Sequence, residues 1–269
     1  MDPWTLPTAG LQIYKSRSEI ASVLAKINNR LRGEKAIIAV TGMPGVGKTV
    51  LVDHLAGAGL KDSYRPPGKS RGVERGLRRA KGLRLNFRTI PGQVSPIRIQ
   101  GLDDLFNAKR PVAGLIHVVA NGYSDIRAEF ARAQLEREMS LEDFRTAQFQ
   151  AEIHDLETTL SYARGAMARG HRPFWVLVAV NKVDLWSSDE AVAEARRRYT
   201  DPAGEFATAI GSFVNQVGSD NVQWEALPVS TWSSAFRWGD QQVPSMLDRE
   251  VQLQTLGQLA HAIEDHARA

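Results

Sequence analysis

The chain has no cysteine in its 269 residues. That excludes disulfide frameworks, thiolate metal sites, cysteine nucleophiles and thiol-linked lipid anchors. Aromatic residues are sparse, at 7%. Long apolar runs are also lacking: the longest, near 36–40, 114–120 and 174–180, fall far short of the roughly 18 residues a membrane span needs. The first ten residues, MDPWTLPTAG, show neither a charged-then-apolar leader nor a glycine at position 2. The expected location is therefore the cytoplasm. What is present, 43% hydrophobic and 24% charged residues, is ordinary for a globular protein and ample for a core.

The net charge of +4 conceals an asymmetry. Between Lys61 and Arg88 stand ten Lys/Arg against only Asp62 and Glu74, a local charge of +8, so the remainder sums to −4. A single basic segment points to a local anionic partner and away from nucleic acid.

Apolar spacing organises the rest. Residues 1–17 contain Pro3 and Pro7 and read as a tail. Ile20, Val23, Leu24, Ile27 and Leu31 recur at helical spacing, which predicts a helix over 18–31. Short β-branched runs predict buried strands at 35–41, 114–120, 174–180 and 221–229. Leu83, Leu85 and Phe87 alternate with Arg84, Asn86 and Arg88, a half-exposed strand, and an edge strand is expected near 72–79. Strands alternating with helices predict an α/β fold with a mostly parallel sheet and helices on both faces. The organisation expected is an N-terminal tail and amphipathic helix over 1–34, then one domain over 35–269. Within it, about 123–171 exceeds what a crossover needs and reads as helix at 128–139 and 141–168, with Ser140 and Asp143 as a cap between them. The expectation is a helical extension projecting from the sheet; the alternative is one longer ordinary helix and a loop. A final helix is predicted over 245–267, packing through Leu253, Leu256, Ala260 and Ile263. The six histidines have no ligand spacing and read as structural.

Two motifs carry chemistry. Gly42-Met-Pro44-Gly45-Val46-Gly47-Lys48-Thr49 fits G-x-x-x-x-G-K-[ST] between a strand and a helix. The glycines let backbone N–H groups, through Val50, wrap phosphates at a helix N-terminus. Lys48 reaches the β- and γ-phosphates and the Thr49 hydroxyl can ligate Mg²⁺. Asn181-Lys182-Val183-Asp184 follows the run 174–180. A carboxylate at Asp184 can accept from the N1–H and 2-amino groups of guanine; adenine offers neither donor. Asn181 would hold the loop, and the Lys182 stem would lie along the ring.

These motifs give the chain a resemblance to the Ras-like small GTPases, with GTP and GDP as ligands and Mg²⁺ as cofactor. The resemblance implies a third motif at Thr89-Ile90-Pro91-Gly92-Gln93. There the Gly92 N–H would read the γ-phosphate and Gln93 would orient the attacking water as the catalytic residue. Thr89 stands where the family has aspartate, and this T-x-P-G-Q form is similar to the bacterial polarity and gliding-motility GTPases. After the last strand, Ser230 would brace the site, the Thr231 N–H would face guanine O6, and Trp232 would stack on the base or pack. The family's switch threonine has no counterpart between residues 50 and 88, and Ser70 is the candidate second Mg²⁺ ligand. An arginine finger in cis could come from Arg71, Arg75, Arg78 or Arg79. The implied function is a guanine-nucleotide switch with slow GTP hydrolysis, with an effector or GTPase-activating partner meeting 61–88 or the helical insertion. Two alternatives stand beside it: a nucleotide-stabilised binding module without turnover, and a P-loop ATPase or kinase.

Overall fold

A computed structural model describes residues 2–6, 17–34, 37–67, 87–90, 96–108, 112–126, 128–169 and 174–267. Its centre is a five-stranded sheet of β1 (Ile37–Thr41), β2 (Phe87–Thr89), β3 (Val112–Val119), β4 (Phe174–Val180) and β5 (Val222–Pro228). The order is β2-β1-β3-β4-β5, and every pairing is parallel. β1, β3 and β4 are apolar on both faces because helices cover both sides, which is what unbroken β-branched runs require. The edge strand expected near 72–79, and residues 83–86 of the alternating strand, lie outside the described residues.

The sheet separates two cores. On one side α1 (Arg17–Glu34), α2 (Lys48–Leu55) and α8 (Arg249–His266) bury Ile20, Val23, Leu24, Leu51, Leu256 and Ile263 against Ile38, Val40 and Leu177. On the other lie α3 (Pro96–Phe106), α5 (Leu141–Ala168), α6 (Asp189–Thr200) and α7 (Glu205–Val217), with Leu156, Tyr199 and Phe206 at the centre. A hairpin of β6 (Phe236–Trp238) and β7 (Gln241–Val243) turns at Gly239, whose φ is 54°.

The long crossover differs from the projecting extension expected. α4 (Glu129–Glu138) buries no residue and exposes Phe130 at 86%. α5 lies against the sheet: Phe144, Ile153, Leu156, Leu160 and Ala163 are buried, and it packs on α3 and α7. The apolar residues of α5 are too many for a solvated arm, so the helix covers the sheet and only α4 is an addition. The Ser140 cap forms as expected, its Oγ accepting from the Asp143 N–H at 3.1 Å. α8 begins at Arg249, four residues later than expected, because Asp248 accepts from the Val251 N–H and Pro244 stands upstream. Among the described residues, no helix is long and apolar enough to cross a membrane.

Candidate nucleotide site

The carboxyl ends of β1, β3, β4 and β5 lie in register, since Thr41 pairs with His117 and Val180 with both Val119 and Pro228. The loops that leave these ends therefore converge, as open parallel sheets require.

Residues 42–47, including Pro44, form the turn from β1 into α2. Gly42 has φ 127°, and a Cβ there would meet the Val118 carbonyl oxygen at 2.1 Å. Gly47, at φ 97°, caps α2; a Cβ there would strike Asn181 Nδ2 at 2.3 Å. Only glycine fits either place. The buried Lys48 Nζ donates to the carbonyls of Gly42 at 2.7 Å and Met43 at 2.6 Å, which holds the ammonium over the turn. Thr49 follows in the first turn of α2.

Asn181 joins three of the motifs. Its amide donates to the Val46 carbonyl at 2.7 Å and to Thr231 Oγ1 at 3.1 Å, while its Oδ1 accepts from the Thr231 N–H at 3.1 Å. The Thr231 N–H expected to face the base is thus directed at Asn181, because an Asn side chain held by the 42–47 turn presents its carbonyl there. Asp184 is 1% exposed and accepts from Ser230 Oγ at 3.1 Å. Burial pushes its carboxyl above the usual aspartate range, and hydrogen bonds, among them that of Ser230, oppose the rise. Lys182, in the left-handed region at φ 64°, donates to the Tyr123 carbonyl at 2.6 Å and to Asp125 at 2.8 Å.

Between these groups lies a cavity of about 160 Å³. Gly45, Gly47 and Val50 form one end; Lys182, Asp184, Thr231 and Trp232 form the other. Asp125, Phe236, Pro66 and Pro67 also line it. These four were not anticipated from the sequence. Asp125 and Phe236 arrive through tertiary packing, and the only local signal was the Gly239-Asp240 turn behind Phe236. Trp232 meets Tyr64 edge-on at a centroid distance of 6.1 Å, so the indole lines the wall and packs at once.

Buried charged side chains behind the cavity hold the turns. Glu152 on α5 accepts from the N–H groups of Ala120 at 2.8 Å and Gly122 at 3.3 Å and from the Tyr199 hydroxyl at 2.6 Å. Burial pushes its carboxyl up to about 7. Arg198 donates to Asn121 Oδ1, fixing that residue at φ 48°. Beneath the 42–47 turn, Arg98 pairs with Asp155 and reaches the Gly42 carbonyl at 3.4 Å. His117 meets Thr41 Oγ1 at 2.9 Å, and burial, with the nearby Arg98 and Lys48 cations, lowers its pKa to about 3, so the imidazole is neutral. Thr89 ends β2, whereas Ser70, Arg71, Arg75, Arg78, Arg79, Gly92 and Gln93 lie outside the described residues.

No protein-family model and no curated protein matches the chain. Among solved structures, Toc33 from Arabidopsis thaliana in complex with Mg²⁺ and GMPPNP is similar over 98% of this chain and 96% of its own, at 14% identity and a TM-score of 0.53. The fold is that of the P-loop GTPases. The small COPII coat GTPase Sar1 from Encephalitozoon cuniculi, in complex with GDP, aligns over 93% of this chain and 87% of its own, at 15% identity and a TM-score of 0.46. The cavity between Gly47 and Asp184 lies at the carboxyl edge of the sheet, where open parallel sheets hold their ligands.

Proposed function

We propose that the chain binds GTP and GDP in the cavity between Gly47 and Asp184 and works as a switch that hydrolyses GTP slowly. The observation that carries this reading is Asn181. One side chain ties the 42–47 turn to Thr231, next to the Ser230 that holds Asp184, so the turn and the Asp184 carboxylate line one cavity, which supports reading them as a phosphate cradle and a guanine acceptor. Lys48, already seated over the turn, would exchange the Gly42 and Met43 carbonyls for phosphate oxygens. Asp184 would accept from both guanine donors, with Ser230 holding its orientation.

A Mg²⁺ ion fits this donor set. Among the described residues, no cluster of three or more His, Cys, Asp or Glu could hold a metal. The hydroxyl of Thr49, phosphate oxygens and water are the hard ligands that Mg²⁺ takes beside a nucleotide. Ser70 is the candidate second protein ligand. When bound, the ion neutralises charge on the phosphates. Gln93 would orient the attacking water. With Thr89 in place of a carboxylate, hydrolysis should be slow, on the order of 10⁻⁴–10⁻² s⁻¹. Partner contact would fall on the basic segment 61–88 or, within the insertion, on α4, whose Phe130 faces solvent.

The deciding experiment is nucleotide preference. GDP should bind at least about tenfold more tightly than ADP. Asp184→Asn should move the preference toward xanthosine diphosphate, whose 2-oxo group can accept from the new amide. Equal affinities of the unaltered chain for GDP and ADP would overturn the guanine assignment. Gln93→Leu should slow single-turnover hydrolysis while leaving GTP affinity within a few-fold, the pattern of an interaction made in the transition state. Unchanged hydrolysis would remove Gln93 from the mechanism.

A further inference from the structure

A second cleft lies beside the first, with Trp232 as the residue common to both walls. It measures about 340 Å³ and is built from residues 61–65 beyond α2, residues 232–233 beyond β5, and the first turn of α8. Three cationic side chains line it, Lys61, Arg65 and Arg249, against one carboxylate, Asp62. Lys61 and Arg65 are exposed at its mouth. Arg249 is fixed in the wall, donating to the Gly59 carbonyl at 3.0 Å and to Gln252 Oε1 at 2.5 Å.

Behind the cations stand polar atoms that lack partners among the described residues. Gln252 is 2% exposed, and neither its Nε2 nor Ser233 Oγ finds a hydrogen-bond partner among them. A buried amide N–H with no acceptor is costly, and such groups call for an explanation. Here the amide's oxygen is held by Arg249, so its N–H donors sit next to a guanidinium on the cleft wall. The ligand that suits the site is therefore an acceptor with more than one negative charge. A carboxylate carries one charge; a phosphate monoester or diphosphate carries about two or more and takes bidentate hydrogen bonds from arginine. The rings of Tyr64 and Trp232 give the cleft an apolar flank for the carbon part of such a molecule.

We propose that this cleft binds a phosphate-bearing small molecule, at a site separate from the phosphate-binding turn at 42–49. It does not depend on the guanine reading, with which it shares only Trp232.

The test uses the full chain saturated with GDP and titrated with radiolabelled inorganic pyrophosphate in equilibrium dialysis. One saturable site is expected. In the Lys61→Gln/Arg65→Gln double variant it should weaken at least about tenfold, with GDP affinity retained, because both cations stand at the mouth and the Arg65 guanidinium bonds the Asp62 and Tyr64 carbonyls of its own turn. Lys48→Ala, assayed without nucleotide, should keep the site, which separates it from the 42–49 turn even if GDP itself fails to bind. Absence of saturable binding up to about 10 mM, a range that would still register a very weak complex, would overturn the proposal. So would equal binding by the double variant, or capture of the chain by phosphatidic acid vesicles with no binding of pyrophosphate.

Discussion

Gly47 shows how tightly single residues constrain the site. Its Cα lies where any side chain would enter the Asn181 amide, and its φ of 97° belongs to glycine. Gly47→Ala should therefore push Asn181 off the Val46 carbonyl and abolish tight GDP binding, while circular dichroism stays that of the unaltered chain; fluorescence titration checks it. Glu152 makes a different kind of prediction. Its folded pKa, about 7, lies above the ordinary value of 4.5, so the folded chain holds a proton there that the unfolded chain has lost. Its contribution is favourable at low pH and declines as pH rises from about 4.5 to about 7. Glu152→Gln keeps an acceptor for the Ala120 N–H and removes the titration. The variant should gain on the unaltered chain across that window, by at most about 3 kcal/mol, in urea unfolding at pH 5 and pH 8. An identical difference at both pH values would count against the raised pKa. The Gly47 constraint was legible in the sequence because the 42–49 motif is local spacing between a strand and a helix. Glu152 was not. It is one acid among many on a polar helix, and only the fold brings its carboxylate to the Ala120 and Gly122 N–H groups.

At the scale of elements, α4 and α5 read alike in sequence, both rich in Ala, Glu, Arg and Gln, yet they do opposite things. The difference rests on a few apolar positions. Phe144 is 1% exposed and stacks on Trp238 at a centroid distance of 3.9 Å, so the first turns of α5 clamp the hairpin whose Phe236 lines the cavity beside Asp184. Phe144→Ala should cost about 3–5 kcal/mol in chemical denaturation and also weaken GDP binding through the loosened hairpin. Phe130→Ser on α4 should change stability by less than about 0.5 kcal/mol. Comparable losses in the two variants would mean that α4 is packed after all. Strand periods and helix spans were readable because burial on both faces leaves unbroken apolar runs. The hairpin was not, since three-residue strands are too short to show a period. Pro66 and Pro67, at the edge of the cavity, give no local pattern at all.

The whole molecule ties its stability to the site, because the loops that form the cavity leave the same sheet that divides the two cores. GDP at about 100 times its dissociation constant should add about 2.7 kcal/mol, a rise of very roughly 5–10 °C in Tm, and ADP at equal concentration should not. Lys48→Ala should lose the shift, and a GDP shift retained in that variant would mean that binding occurs elsewhere. The sheet's connectivity has one more consequence, which concerns the order of assembly. β3, at its centre, hydrogen-bonds to β1 from residues 37–41 and to β4 from residues 174–180, and no described pair in this sheet is a local hairpin. During synthesis, at about 5–20 residues per second, the nascent chain therefore waits several seconds between β3 and β4 with one edge of its central strand open. Such non-local pairing slows folding and exposes unpaired strands to aggregation, so expression yield should be more sensitive to translation speed across residues 120–174 than to any substitution on α4.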